Sequence, residues 1–257
     1  MKPKSSEKTE HVSLPAMNCK LILLSMLVTI QALAGASDST RKGQPVRPIV
    51  QIAAVPVLLV AAGLYTEGSG HLLSRYDVRS WRNDHYGSFK THVDDYLQYA
   101  PALAALAVGL TPKGTRNDWP NKLLLLAKSE LLMTTISTSL KYATHIERPD
   151  GSNFHSFPSG HTAQAFVAAT FMHKELRHRS VWYSVGAYTA ASAVGAMRVL
   201  NNKHWISDVL TGAGIGILSA NLVYATHQYR WGKRPAGQTT LLPTWNQGPG
   251  LYFCYRF

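Results

Sequence analysis

From residue 97 onward, long apolar stretches alternate with short polar breaks, and each stretch is too long and continuous for a strand. Helices are predicted over 97–110, 121–144, 160–177, 181–199 and 207–229. Their apolar positions are interleaved with Ala, Gly, Ser and Thr, the small residues that let helix backbones approach closely, in membranes especially. Neither strand-like alternation nor a repeat of about 20 to 50 residues runs through this region. The pattern predicts an all-α fold, a helical bundle whose polar groups gather at the helix ends.

The first 96 residues read differently. An apolar run at 21–37 follows Lys20 and contains Ala34-Gly35-Ala36, a secretory signal occupying 1–36 with cleavage after Ala36. A start at Met17 would give that signal ordinary proportions; an uncleaved membrane anchor is the alternative. A second apolar run, 49–64, is broken by Pro56, and 65–96 is polar and aromatic with Gly68, Gly70 and Gly87 as loop signals. The expected divisions are the signal (1–36), an apolar segment with a polar loop (37–96), a helical core (97–230) and a tail (231–257). The tail carries Pro, Gly and alternating aromatics and reads as a packed turn or short strand. Its ending resembles the last strand of an outer-membrane barrel, but no set of strands precedes it.

Charge narrows the class. Lys and Arg total 26 against 14 Asp and Glu, a formal charge of +12, which favours anionic lipid or polyanions as partners. The basic residues are scattered over loops, which argues against nucleic acid. Basic runs at 113–122, 174–179 and 230–234 alternate with polar breaks at 141–161 and 197–208. If each helix crosses a bilayer, the basic runs face the cytoplasm and the polar breaks face outside. A cleaved signal then leaves 49–64 as an interfacial or packed segment. Embedding in a bacterial inner membrane, with the polar breaks on the periplasmic side, is the expected arrangement. A soluble periplasmic protein is the alternative: only twelve residues separate His161 from Lys174, Lys128 and Glu130 interrupt one helix, and mean hydropathy is −0.08. Two cysteines, Cys19 and Cys254, cannot build a disulfide framework. His85, His92, Asp94 and Asp95 match no metal-ligand spacing and are expected in a solvated loop.

The candidate chemistry lies in three clusters, KYATHIERP (141–149), SFPSGH (156–161) and MRVLNNKHWISD (197–208). Lys141 and Arg148 are two helical turns apart and can share a face, and Pro149 ends that helix just past the guanidinium. Ser159 is a natural N-cap, and Gly160 leaves the backbone uncovered, so the helix start offers amide protons to an anion. His161 follows on the first turn. Arg198, at the end of another helix, adds a second fork for phosphate oxygens. His204 and Asp208 are spaced i, i+4 and can meet; a carboxylate on one ring nitrogen fixes the tautomer and leaves the other as a nucleophile. Each cluster alone has a plain structural explanation, a cap or a hydrogen bond. Three cations, two histidines and a carboxylate within 141–208, each at a predicted helix end, are equipment for gripping a phosphate and breaking its ester bond without a metal.

At these residues the sequence resembles the type 2 phosphatidic acid phosphatase superfamily, which includes bacterial acid phosphatases, lipid phosphatases and vanadium haloperoxidases. The family pattern is Lys, six residues, Arg-Pro; then Pro-Ser-Gly-His; then commonly Ser-Arg, five residues, His, three residues, Asp. Lys141 with Arg148-Pro149, Pro158 through His161, and Arg198, His204 and Asp208 meet it; Met197 stands where Ser is common. The resemblance implies that His204 attacks phosphorus, Asp208 orients it, and His161 protonates the leaving oxygen and then serves as base for water. Lys141, Arg148, Ser159, Gly160 and Arg198 would hold the phosphoryl oxygens. No metal or other cofactor is implied. A phosphorylated lipid met outside the cytoplasm is the expected substrate; a soluble acid phosphatase, a phosphotransferase and a vanadium haloperoxidase are the alternatives.

Overall fold

The computed structural model describes residues 49–68, 74–111, 114–227, 238–244 and 250–256. The expected signal at 1–36, with Met17 and Cys19, and the basic run at 230–234 lie outside the described residues. Eight helices form among them: α1 (Ile49–Tyr65), α2 (Arg75–Tyr86), α3 (Val93–Leu97), α4 (Ala100–Val108), α5 (Trp119–Thr144), α6 (Gly160–Leu176), α7 (Val181–Leu200) and α8 (Ile206–Thr226). The five helices expected from residue 97 onward are present as α4 to α8. Residues 65–96, expected as a loop, instead contain α2 and α3. Ser74 starts α2 by accepting the Tyr76 N–H at 3.2 Å, with Asp77 in the first turn, a start signal that the flanking glycines outweigh when the sequence is read alone.

α6 and α8 form the centre. α8 lies against α1, α5 and α6, while α6 also meets α4, α5 and α7. Ala165, Ala168, Ala169 and Phe171 of α6 pack with Ala187, Ala191 and Val194 of α7. The α6–α8 seam is close at the backbone: a Cβ at Gly212 would stand 2.6 Å from the Ser159 carbonyl oxygen, and one at Gly216 would collide with that of Ala163. Small residues therefore bring the start of α6 beside the first turns of α8, and the Ser159 N–H donates to the Asp208 carbonyl at 3.0 Å.

Pro56 does not break α1. Proline has no N–H for the carbonyl four residues back, and Asn221 Nδ2 of α8 donates to that Ile52 carbonyl at 3.0 Å. The segment with Pro56 is thus a packed helix.

α5 and α8 are long and apolar enough to cross a membrane. α8 is mostly covered by its neighbours, whereas α5 exposes Leu123 and Leu131. With 17 residues, α6 separates two ends of the bundle by about 25 Å. At its C-terminal end, the Arg116 N–H donates to the Glu175 carbonyl, and the Arg179 guanidinium reaches Thr111 and the Gly114 carbonyl. In the tail, β1 (Gln238–Thr244) and β2 (Gly250–Arg256) pair antiparallel, with Leu242 opposite Tyr252.

Candidate active site

The loop between α7 and α8 sets His204 against the start of α8, where it is 2% exposed. Its Nδ1 lies 3.4 Å from Asp208 Oδ2. A carboxylate only accepts, so Nδ1 carries the proton and Nε2 keeps its lone pair. Asp208 is fully buried in the first turn of α8; it also accepts the Trp205 N–H at 2.9 Å and the Ser156 hydroxyl. The helix N-terminus stabilises its negative charge further. Burial, reinforced by Lys141 and Arg148 and opposed by Asp208, pushes the His204 imidazole down to about 4. It is therefore neutral near pH 7.

Three cations meet beside it. Lys141, in the last turn of α5, donates from Nζ to the His155 and Pro158 carbonyls at 2.9 and 2.8 Å. It lies within electrostatic reach of Arg148, Asp208 and Arg198. Arg148 does not continue the helix of Lys141 up to Pro149, as the sequence led us to expect: α5 ends at Thr144, His145 turns left-handed (φ 48°), and Arg148 follows in a loop tied by its own N–H to the Asn153 carbonyl at 2.9 Å. Burial first, and then the neighbouring Arg198, push its guanidinium below the ordinary arginine value. The Nε–H groups of Arg148 and Arg198 are both buried with no partner among the described residues. Adjacent like charges with unmatched buried donors are costly unless an anion joins them. Ser159 caps α6, accepting the Thr162 N–H at 3.4 Å, and Gly160 leaves that first turn uncovered beside the Lys141 stem. Met197, where the family commonly has Ser, packs against the apolar core.

Asp94 and Asp95 join the site from α3, contrary to the solvated loop expected for them. Asp94 is fully buried; its Oδ2 accepts from Arg198 Nη1 at 2.7 Å and its Oδ1 from Asn201 Nδ2 at 3.2 Å. Asp95 Oδ1 lies 2.9 Å from His161 Nε2, and Oδ2 lies 3.2 Å from His92 Nδ1. The hydrogen bond from His92, followed by that from His161, holds the Asp95 carboxyl below its usual range. Ligand atoms of Asp94, Asp95 and His161 lie within 4.8 Å of one another. Arg198 already stands 2.7 Å from one carboxylate and 4.0 Å from the other, so it balances their charge. His85 turns away to the Trp81 carbonyl of its own helix, at 2.9 Å.

Lys141, Arg148, Ser159, Gly160, His161, Arg198, His204 and Asp208 thus occupy one end of the bundle. A family model described as the PAP2 superfamily matches residues 99–232, which contain all eight. The chain belongs to the PAP2 superfamily. Among PAP2 relatives, it is 40% identical over 195 residues to a lipid A 1-phosphatase of Porphyromonas gingivalis, covering 73% of this chain and 43% of that protein. It is 24% identical over 138 residues to a lipid A 1-phosphatase of Helicobacter pylori, covering 50% of this chain and 68% of that one. The chain spans less than half the length of the P. gingivalis protein. Similar solved structures are Aquifex aeolicus LpxE, at 21% identity and TM-score 0.44 over 56% of this chain and 93% of that one, and a PAP2-type phosphatidylglycerolphosphate phosphatase from Bacillus subtilis, at 24% identity and TM-score 0.37 over 78% and 93%.

Beyond the PAP2 motif, the sequence carries little sign of Asp94 and Asp95. Ser156 stands inside a motif cluster, and its bond to Asp208 spans 52 positions.

Proposed function

We propose that the protein is a phosphoric ester hydrolase acting on a phosphorylated lipid through a phosphohistidine at His204. The observation that carries this reading is the pair of buried, unmatched guanidinium Nε–H groups of Arg148 and Arg198 in the neighbourhood of a neutral His204. A tetrahedral dianion would satisfy both donors and present phosphorus to Nε2. Lys141, Ser159 and the uncovered amides at Gly160 add donors for the same oxygens. In the first step, the Nε2 lone pair forms an N–P bond as the ester P–O bond breaks, and His161 gives a proton to the departing oxygen. In the second, water adds to phosphorus with its proton passing to His161, and the N–P bond breaks. Asp208 supports the cationic ring throughout. The fixed cations supply the charge stabilisation that a metal ion gives in other phosphoryl-transfer sites.

The substrate reading is the 1-phosphate of lipid A, the group named for both curated relatives. A bilayer location is supported by α5 and α8 and by the exposed Leu123, Leu131, Val181, Trp182 and Val185. The basic residues at the far end of α6, including Arg116 and Arg179, favour that end as cytoplasmic and the site as periplasmic. The test is phosphate release in detergent from a panel of lipid A 1-phosphate, phosphatidate, phosphatidylglycerophosphate and undecaprenyl pyrophosphate. Lipid A is expected to be turned over fastest, with an acid-labile phosphoprotein on quenching. His204→Ala should lose about 10⁴-fold or more on every substrate; unchanged turnover would reject the nucleophile.

A further inference from the structure

The neighbouring acids of α3 stand behind two groups that the proposed reaction uses, yet they are held differently. Asp94 is sealed between Arg198 and Asn201, and the Asn201 side chain exchanges hydrogen bonds with the Thr91 backbone, both at 2.9 Å. That clamp fixes α3 on the end of α7. Asp95, one residue on, is left to His161. Its own backbone is anchored as well: its N–H donates to the His92 carbonyl at 3.2 Å, and its carbonyl accepts from Gln98 Nε2 at 2.8 Å.

We propose that Asp95 is the positioning residue of the acid–base step: its Oδ1 accepts the Nε2–H of His161 and so presents Nδ1 to the leaving oxygen. This rests on the phosphatase reading above. The His161 ring is one-third exposed, and among the described residues Asp95 is its one hydrogen-bond partner. A partly exposed imidazole without that bond would rotate, and neither nitrogen would be held for proton transfer. The charged groups facing His161 are Asp95 and Asp94 from α3 and Arg198 from α7, with His92 behind Asp95. Since Asp94 is engaged by Arg198, the Asp95 carboxylate is what supports an imidazolium here. In the step, the P–O bond breaks, its electron pair goes to the leaving oxygen, and that oxygen takes the Nδ1 proton. The Nε2–H stays on the ring, hydrogen-bonded to Asp95, and Nδ1 is reprotonated by the attacking water in the next step.

The test compares phosphate release by wild type, Asp95→Asn and Asp95→Glu, full length in detergent, on two esters bearing the same long chain. One is an alkyl phosphate, whose alkoxide needs a proton; the other is a nitrophenyl phosphate, whose phenolate leaves without one. Asp95→Asn is expected to slow the alkyl ester about 10- to 100-fold, a share of the roughly 10²–10⁴ of general acid catalysis, and the aryl ester by about twofold or less. The alkaline limb of alkyl ester turnover should move to lower pH, because a histidine deprived of its carboxylate gives up its proton sooner. Asp95→Glu should restore part of the rate. Equal losses on both esters, or no loss on the alkyl ester, would overturn the assignment. A wild type that releases phosphate from neither ester would overturn the phosphatase reading and this one with it, an outcome distinct from uniform loss in the variant.

Discussion

At the C-terminal end of α6, Glu175 is fully buried and its carboxylate is used up: Asn117 donates from its backbone and its side chain, and Tyr224 donates from its hydroxyl at 2.7 Å. At the N-terminal end, Arg148 and Arg198 also carry charge into the interior, lie in each other's field, and each keep an Nε–H that no group among the described residues accepts. Both ends are polar and both are packed, so burial alone does not tell them apart. The supply of partners does. A buried charge whose two oxygens are both engaged holds elements together, whereas cations gathered with donors to spare are arranged for something the chain does not contain.

Removing one charge from each end should separate the two cases. Arg148→Ala is expected to lower kcat/KM for lipid phosphate release by about 10²–10³-fold, while its melting temperature in detergent stays at or above that of wild type because a like-charge contact is relieved. Glu175→Gln should do the reverse. It strands donors that share one carboxylate, costing about 2–3 kcal/mol of stability, with turnover at the distant site within about twofold of wild type. If the melting temperatures fall equally, the contrast between the ends is lost.

The smallest effect is on pH. Burial and neighbouring cations bring the His204 imidazole from its ordinary 6.5 down to about 4. The folded state therefore binds this proton less readily than the unfolded state. Its contribution to stability is complete above about 6.5 and is lost as the pH falls through about 4. Turnover should show an acid limb centred near 4 from the same group. In Arg148→Ala that limb should move to higher pH, since Arg148 adds to the depression; a limb that stays in place would detach Arg148 from the nucleophile.

What the chain reveals before folding follows from range. The PAP2 residues are legible because a phosphate dictates residue types at helix ends, and each cluster is local: Lys141 to Arg148, Ser159 to His161, Arg198 to Asp208. Helices α4 to α8 are legible because their apolar runs are long, even where Lys128 and Glu130 interrupt α5. Asp94 and Asp95 are not, since they meet Arg198 across 104 positions and His161 across 66, and no local spacing encodes either contact. Pro56 inside α1 is tolerated because of Asn221, 169 positions from the carbonyl it serves. The start of α2 at Ser74 and Asp77 was present in the sequence, but Gly68, Gly70 and Gly87 argue for a loop more loudly than one cap argues for a helix.

Orthovanadate, a tetrahedral stand-in for phosphate, offers the most direct measurement of whether both guanidinium groups and His204 serve one anion. Its affinity can be read from inhibition of phosphate release and from the shift in melting temperature, in wild type, Arg148→Ala, Arg198→Ala and Glu175→Gln. Wild type and Glu175→Gln should bind alike, and each arginine variant should bind at least about tenfold more weakly. Equal affinity in all four proteins would contradict the convergence on which the account stands.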